Sequence, residues 1–130
     1  MNSITEILKE VGIFYVATVD ENGDPRVRPF GTVAEIDGET YICTGNFKKC
    51  YKQMMEHSTV EISGMFDDDN WLRMTADVVR VDSDELREAF LEQCPHLKLM
   101  YHLGDGLFEV LKLTNVKGAK YNFSGAYKKF

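Results

Sequence analysis

Apolar residues recur along this chain in two rhythms, one helical and one extended. Ile4, Ile7, Leu8 and Val11 are spaced for one face of a short helix, and Gly12 ends the run. Ser3-Ile-Thr-Glu6 reads as a capping box, with Ser3 as N-cap and Glu6 reaching back to it. Ile13–Val19 is then continuously β-prone, as a strand buried on both faces would be. Asp20–Pro25 reads as a turn, because Asn22-Gly23 accepts positive φ and Pro25 interrupts pairing. A second strand runs from Arg26 to about Ile36, Asp37-Gly38 turns it, and Glu39–Thr44 returns as its hairpin partner. Phe47, Cys50, Tyr51, Met54 and Met55 form the apolar stripe of a second helix, with Asn46 placed to cap it. Thr59–Phe66 alternates as a strand, Asp67–Asn70 is a polar loop, and Trp71–Val81 is another long strand. Asp82 or Ser83 caps a third helix that runs to about Gln93, with Leu86, Ala89 and Phe90 facing inward. Pro95 breaks that helix, and Pro95–Tyr101 has room for one more helical turn. Gly104-Asp-Gly106 leads into a last strand, Leu107–Val116.

The expectation is mainly β with peripheral helices: six strands joined largely by hairpin turns, forming an antiparallel barrel with the helices outside. The alternating rhythm of a doubly wound sheet is missing, as are Gly-x-Gly-x-x-Gly and Walker A patterns. A chain of 130 residues without repeats suits one domain, 1–130, around one core. The tail, Lys117–Phe130, carries Tyr121, Phe123, Tyr127 and Phe130, which can pack on the barrel or on a second chain.

Charge narrows the function. Fifteen bases against 21 acids leave −6, which argues against a broad nucleic-acid surface, so any cationic site must be local. Three cysteines without a paired spacing point to free thiols and a reducing, cytoplasmic setting. No basic leader precedes an apolar run, and no apolar stretch approaches the ~20 residues that span a bilayer.

Basic residues cluster in one region. Arg26 and Arg28 lead the second strand, and Thr44-Gly-Asn-Phe-Lys48-Lys49 ends its hairpin partner. Paired, these segments gather backbone N–H groups, a hydroxyl and positive charge, the ingredients of a phosphate site. Lysines in a first helical turn oppose the helix dipole, which fits a bound anion there; a solvated lysine face is the plainer reading. Pro29 marks an edge or a bulge, and Gly31 admits a close approach to the backbone. Either a ligand lying along this strand or an ordinary bulged edge explains that pair.

Other constellations carry less. Cys94-Pro-His96 with His102 matches no zinc spacing, Asp67–Asn70 reads as a solvated turn, and Met54-Met55 reads as core. Arg73 and Arg80 read as partners in exterior salt links.

The order and spacing of several pieces resemble the pyridoxamine 5′-phosphate oxidase-like family, whose members adopt the FMN-binding split barrel. The pieces are Phe14–Val19, Asn22–Pro25, Arg26-Val-Arg-Pro-Phe-Gly31, Tyr41–Lys49, His57–Ile62 and Trp71–Ala76, so the similarity runs from about Thr5 to Lys117. The resemblance implies a six-stranded split β-barrel and a homodimer with FMN at the subunit interface. It places Arg28 at the phosphate and Pro29, Phe30 and Gly31 along the ring and ribityl chain. Thr44 falls at a flavin or phosphate contact, and Lys48 and Lys49 at the basic pair, with Lys49 the better match. Trp71 falls where the partner subunit offers a polar group to the flavin. It implies an FMN-dependent oxidoreductase acting on a small molecule, with NAD(P)H a possible donor. The alternative is a non-catalytic FMN protein serving as electron carrier, store or sensor. Full pyridoxamine phosphate oxidases carry a C-terminal Trp and Arg pattern, which the tail Tyr121–Phe130 lacks.

Overall fold

A computed structural model describes residues 1–130. The first helix, α1 (Ser3–Val11), is capped by Asn2 rather than Ser3: the Asn2 Oδ1 accepts the Thr5 amide at 2.8 Å. Asn2 wins because it is anchored twice more, donating to the Gly38 carbonyl at 2.9 Å and accepting from the Thr40 hydroxyl at 3.0 Å. A local capping box thus gives way to a tertiary one.

Eight strands form, where the pattern of residues predicted six. They are β1 (Phe14–Val19), β2 (Pro25–Phe30), β3 (Ala34–Ile36), β4 (Glu39–Gly45), β5 (Thr59–Met65), β6 (Trp71–Arg80), β7 (Phe108–Asn122) and β8 (Gly125–Lys129). Two changes account for the difference. The expected second strand divides at Gly31–Val33, and the tail extends β7 and folds back as β8. The remaining helices are α2 (Lys49–Glu56) and α3 (Asp84–Gln93), and a 3₁₀ turn covers Pro95–Leu99. Ser83 caps α3 through the Leu86 amide at 3.2 Å, one of the two expected positions.

All pairings are antiparallel, in the order β2-β1-β5-β6-β7-β4-β3, with β8 on β7. β2 is therefore one edge, which leaves the N–H-deficient Pro29 outside any central ladder. The two edge strands, β2 and β3, are consecutive in sequence and only Gly31, Thr32 and Val33 lie between them. Four Cα steps reach at most roughly 14 Å, so the two ends of the sheet must curl together. The result is a barrel that stays unsealed along one seam.

Phe14, Ile42, Met54, Ile62, Leu72 and Leu111 belong to the buried cluster inside this wrap. A second cluster, including Tyr41, Phe90, Leu97, Tyr101 and Phe108, lies under α3 and the 3₁₀ turn. Arg73 makes its expected surface link to Glu61 at 3.9 Å. Arg80 makes its own exterior link, to Asp82 at 3.6 Å, and also reaches inward to the buried Glu109 at 3.0 Å, which Arg87 holds at 2.9 Å. Burial alone would raise the Glu109 pKa, but the Arg80 and Arg87 hydrogen bonds outweigh it and hold the carboxyl below its ordinary range.

Candidate functional site

A cleft of ≈ 180 Å³ opens along the seam of the barrel. β2 and the linker after it supply Arg28, Pro29, Phe30, Gly31 and Thr32. β4 supplies Cys43 and Thr44, the start of α2 supplies Lys48 and Cys50, and the 3₁₀ turn and its exit supply Leu97, Met100 and Tyr101. Two of these residues are cations and none is an acid, in a chain whose acids outnumber its bases by six. Neither Arg28 nor Lys48 takes part in a salt bridge.

Arg28 stands opposite Val16 on the neighbouring strand and its side chain is half-buried. Its Nη1 donates to the Val16 carbonyl at 3.1 Å and to the Thr18 hydroxyl at 2.7 Å, and its Nη2 donates to Gln53 Oε1 at 3.0 Å. All three acceptors are neutral, so the guanidinium is oriented without losing its charge.

α2 begins without a side-chain cap. Asn46, expected in that role, instead donates to the Gly106 carbonyl at 2.8 Å and ties the end of β4 to the loop before β7. Lys48 occupies the N-cap position, and no acidic residue lies in the first turn. The opening amides of the helix are left without a protein acceptor, a favourable place for an anion. A Cβ at Gly45, beside this point, would fall 2.5 Å from the Phe47 ring and 2.7 Å from the Tyr101 hydroxyl, so both side chains would have to shift to admit one.

The other polar groups of the cleft are neutral. The buried Thr44 hydroxyl lies 3.6 Å from the Cys50 sulfur. Burial pushes the Cys43 thiol up to about 12, aided by Cys94 and opposed by Lys48. Tyr101 is raised by burial and then by its neighbours Cys43, Asp105 and Cys50, so its hydroxyl keeps its proton.

Arg28, Pro29, Phe30, Gly31, Thr44 and Lys48, all anticipated from the sequence, meet here. Lys49 and Trp71 do not line this cleft. Lys49 faces a separate polar hollow with Lys52, Gln53, Glu56 and the β1–β2 turn. Trp71 lies on β6, stacked on Tyr121 and edge-on to Phe123. The close approach that Gly31 permits is made by Ile13, whose Cδ1 would lie 3.0 Å from an added Cβ. Thr18, Gln53 and the residues of the 3₁₀ turn were not anticipated. Thr18 did carry a signal, for it continues the inward alternation of Phe14 and Val16, whereas Gln53 lies off the apolar stripe of α2 and carried none.

The chain is thus an antiparallel barrel left open along one seam, with an acid-free cationic cleft in that seam. The chain belongs to the pyridoxamine 5′-phosphate oxidase family, whose model matches residues 2–119. It is similar to a NimC/NimA family protein from Clostridium acetobutylicum, with 44% identity, 98% of this chain and 91% of that one covered, and a TM-score of 0.88. The fold is shared with a pyridoxamine 5′-phosphate oxidase-related, FMN binding protein from Nostoc punctiforme, at 16% identity, 95% and 83% coverage and a TM-score of 0.69. It is shared also with HutZ, a heme storage protein from Vibrio cholerae, at 18% identity, 97% and 92% coverage and a TM-score of 0.68. No curated protein matches the chain. No helix is long and apolar enough to cross a membrane.

Proposed function

We propose that this protein binds FMN in the seam cleft and acts as a homodimeric, FMN-dependent oxidoreductase on a small molecule. One observation carries the cofactor assignment: two unpaired cations and no acid line a cleft at the open N-terminus of α2. A phosphate dianion fits that donor set, through charge-assisted bonds from Arg28 and Lys48 and through helix amides. Thr44 adds a hydroxyl, and Pro29, Phe30 and Met100 supply apolar surface for a flat ring. Bound FMN supplies hydride or single-electron transfer; the protein binds it, orients it and excludes water.

Two further observations favour a homodimer. The cleft is smaller than the ~300–1,000 Å³ that encloses a comparable ligand, so one protomer covers only part of a flavin. The outer face of the sheet also exposes Tyr15 and Val27 from β1 and β2 and Met65 from β5, with Phe123 beside Trp71. Apolar side chains gathered on one sheet face suit a contact with another chain. Trp71 lies outside the cleft, packed with Tyr121 and Phe123, so its expected role is tied to the proposed dimer.

The visible spectrum of the freshly purified protein tests the reading. The expected result is a flavin spectrum whose released cofactor is FMN; a haem spectrum, or no chromophore after reconstitution with FMN, contradicts it. Loss of flavin colour on anaerobic addition of NADH or NADPH supports the oxidoreductase. A flavin that neither donor nor any small-molecule couple reduces and reoxidises points to storage or sensing.

A further inference from the structure

We infer that Thr18 and Gln53 are positioning residues that reserve one edge of Arg28 for phosphate and so make the cleft selective for a phosphorylated flavin; this rests on the FMN reading above. The guanidinium has five N–H donors. Val16 O and Thr18 Oγ1 take the two on Nη1, and Gln53 Oε1 takes one of the two on Nη2. What remains is Nε–H and the second Nη2–H, the parallel pair along one edge of the guanidinium plane. That fork matches two oxygens of a phosphate, a geometry lysine cannot reproduce.

The two holding residues are built for this work. Thr18 and Gln53 are both buried, at 2% and 7% exposure. The Thr18 hydroxyl receives Arg28 Nη1 and donates onward to the same Gln53 oxygen that receives Nη2. Every bond in the ring has one workable direction, so the guanidinium has little freedom to turn. The ring is also neutral. Asp or Glu at either place would hold Arg28 equally well but cancel the charge that a phosphate needs. A glutamine is the side chain of matching length that holds without neutralising.

The test compares FMN with riboflavin, which lacks the phosphate, by fluorescence titration of apo-protein. Gln53→Glu puts a carboxylate beside the guanidinium, and at least a ~10-fold loss of FMN affinity is expected with riboflavin affinity unchanged. Thr18→Val should lower FMN affinity selectively through loss of orientation, and Thr18→Ser should restore it. Thermal unfolding midpoints taken in parallel identify any variant that fails to fold, and the remaining variants then decide the matter. Equal losses for FMN and riboflavin would show a merely structural role and overturn the inference, as would Gln53→Glu with unchanged FMN affinity. Wild-type protein that binds neither flavin overturns the FMN reading and this inference together; wild-type protein that binds FMN with indifferent variants overturns this inference alone.

Discussion

The charge of Arg28 is left uncompensated within the protomer, because its three protein partners are a carbonyl, a hydroxyl and a carboxamide. That of Lys48 is likewise uncompensated, since no carboxylate pairs with it. Charge-assisted hydrogen bonds contribute about 1.5–3 kcal/mol each, so Arg28→Ala should weaken FMN binding by at least that much and Lys48→Ala by less, its stem being exposed. Lys49→Ala should leave affinity nearly unchanged, since Lys49 faces the other hollow. Equilibrium titration of the three variants checks this ordering, and a Lys49 effect larger than that of Lys48 would reverse the assignment. The Cys43 thiol gives a second residue-level expectation. At pH 8 a group pushed up to about 12 is thiolate in only about one part in ten thousand. Native Cys43 should therefore resist iodoacetamide under conditions that label it in denatured protein, read by mass spectrometry. Much of the cleft could be read from residue types alone, because Arg28, Thr44 and Lys48 sit in short segments of telling composition. The pairing of Thr18 and Gln53 with Arg28 could not, since Arg28 lies 10 and 25 residues away and only the folded chain brings them together.

At the scale of elements, β6 and β7 form the longest ladder, and Gly118 shows how closely they approach. A Cβ on Gly118 would sit 2.3 Å from the Arg73 carbonyl oxygen and 2.7 Å from the Met74 Cα, both backbone atoms that cannot swing aside. Gly118→Ala should therefore destabilise by about 2 kcal/mol or more, seen as a lowered urea midpoint. β6, β7 and α3 also hold the Glu109 ion network, through Arg80, Glu109 and Arg87 in turn. A carboxyl whose folded pKa is depressed contributes stability above its unfolded pKa and loses it as pH falls through the folded value. Stability should therefore fall as the medium is acidified below the ordinary glutamate value of 4.5. Glu109→Gln should flatten that acid limb while lowering stability at neutral pH, because Arg80 and Arg87 lose their shared anion. Urea unfolding between pH 3 and 7 measures both effects. Elements set by local chemistry were readable in advance. The β3–β4 turn is one, since Asp37 and Gly38 both take positive φ, 52° and 79°, as an Asp-Gly hairpin turn demands. The division of the second strand was not, because it depends on a change of partner from β1 to β4 that no local pattern records. The β8 hairpin was hidden for a similar reason: its residues alternate weakly and pair only with the extension of β7.

For the whole molecule, the sheet is one continuous surface whose ends meet at Gly31–Val33, and the cleft exists because that meeting is incomplete. Its outer apolar face gives the proposed dimer a place to form. Val27, 66% exposed on the edge strand, is a sensitive probe of that face. Val27→Lys should shift the sedimentation mass from twice 14.9 kDa toward 14.9 kDa and weaken flavin binding in step, if the partner covers the ring. A dimer undisturbed by this change would place the interface elsewhere. A positively charged notch in an acidic protein makes sense if its ligand carries a doubly negative group at one end and is flat at the other. The most direct measurement is the ratio of FMN to riboflavin affinity for the wild-type protein, titrated side by side by flavin fluorescence. FMN should bind at least ~100-fold more tightly, the equivalent of two charge-assisted bonds. Equal affinity for the two would mean that Arg28 and Lys48 do not grip a phosphate.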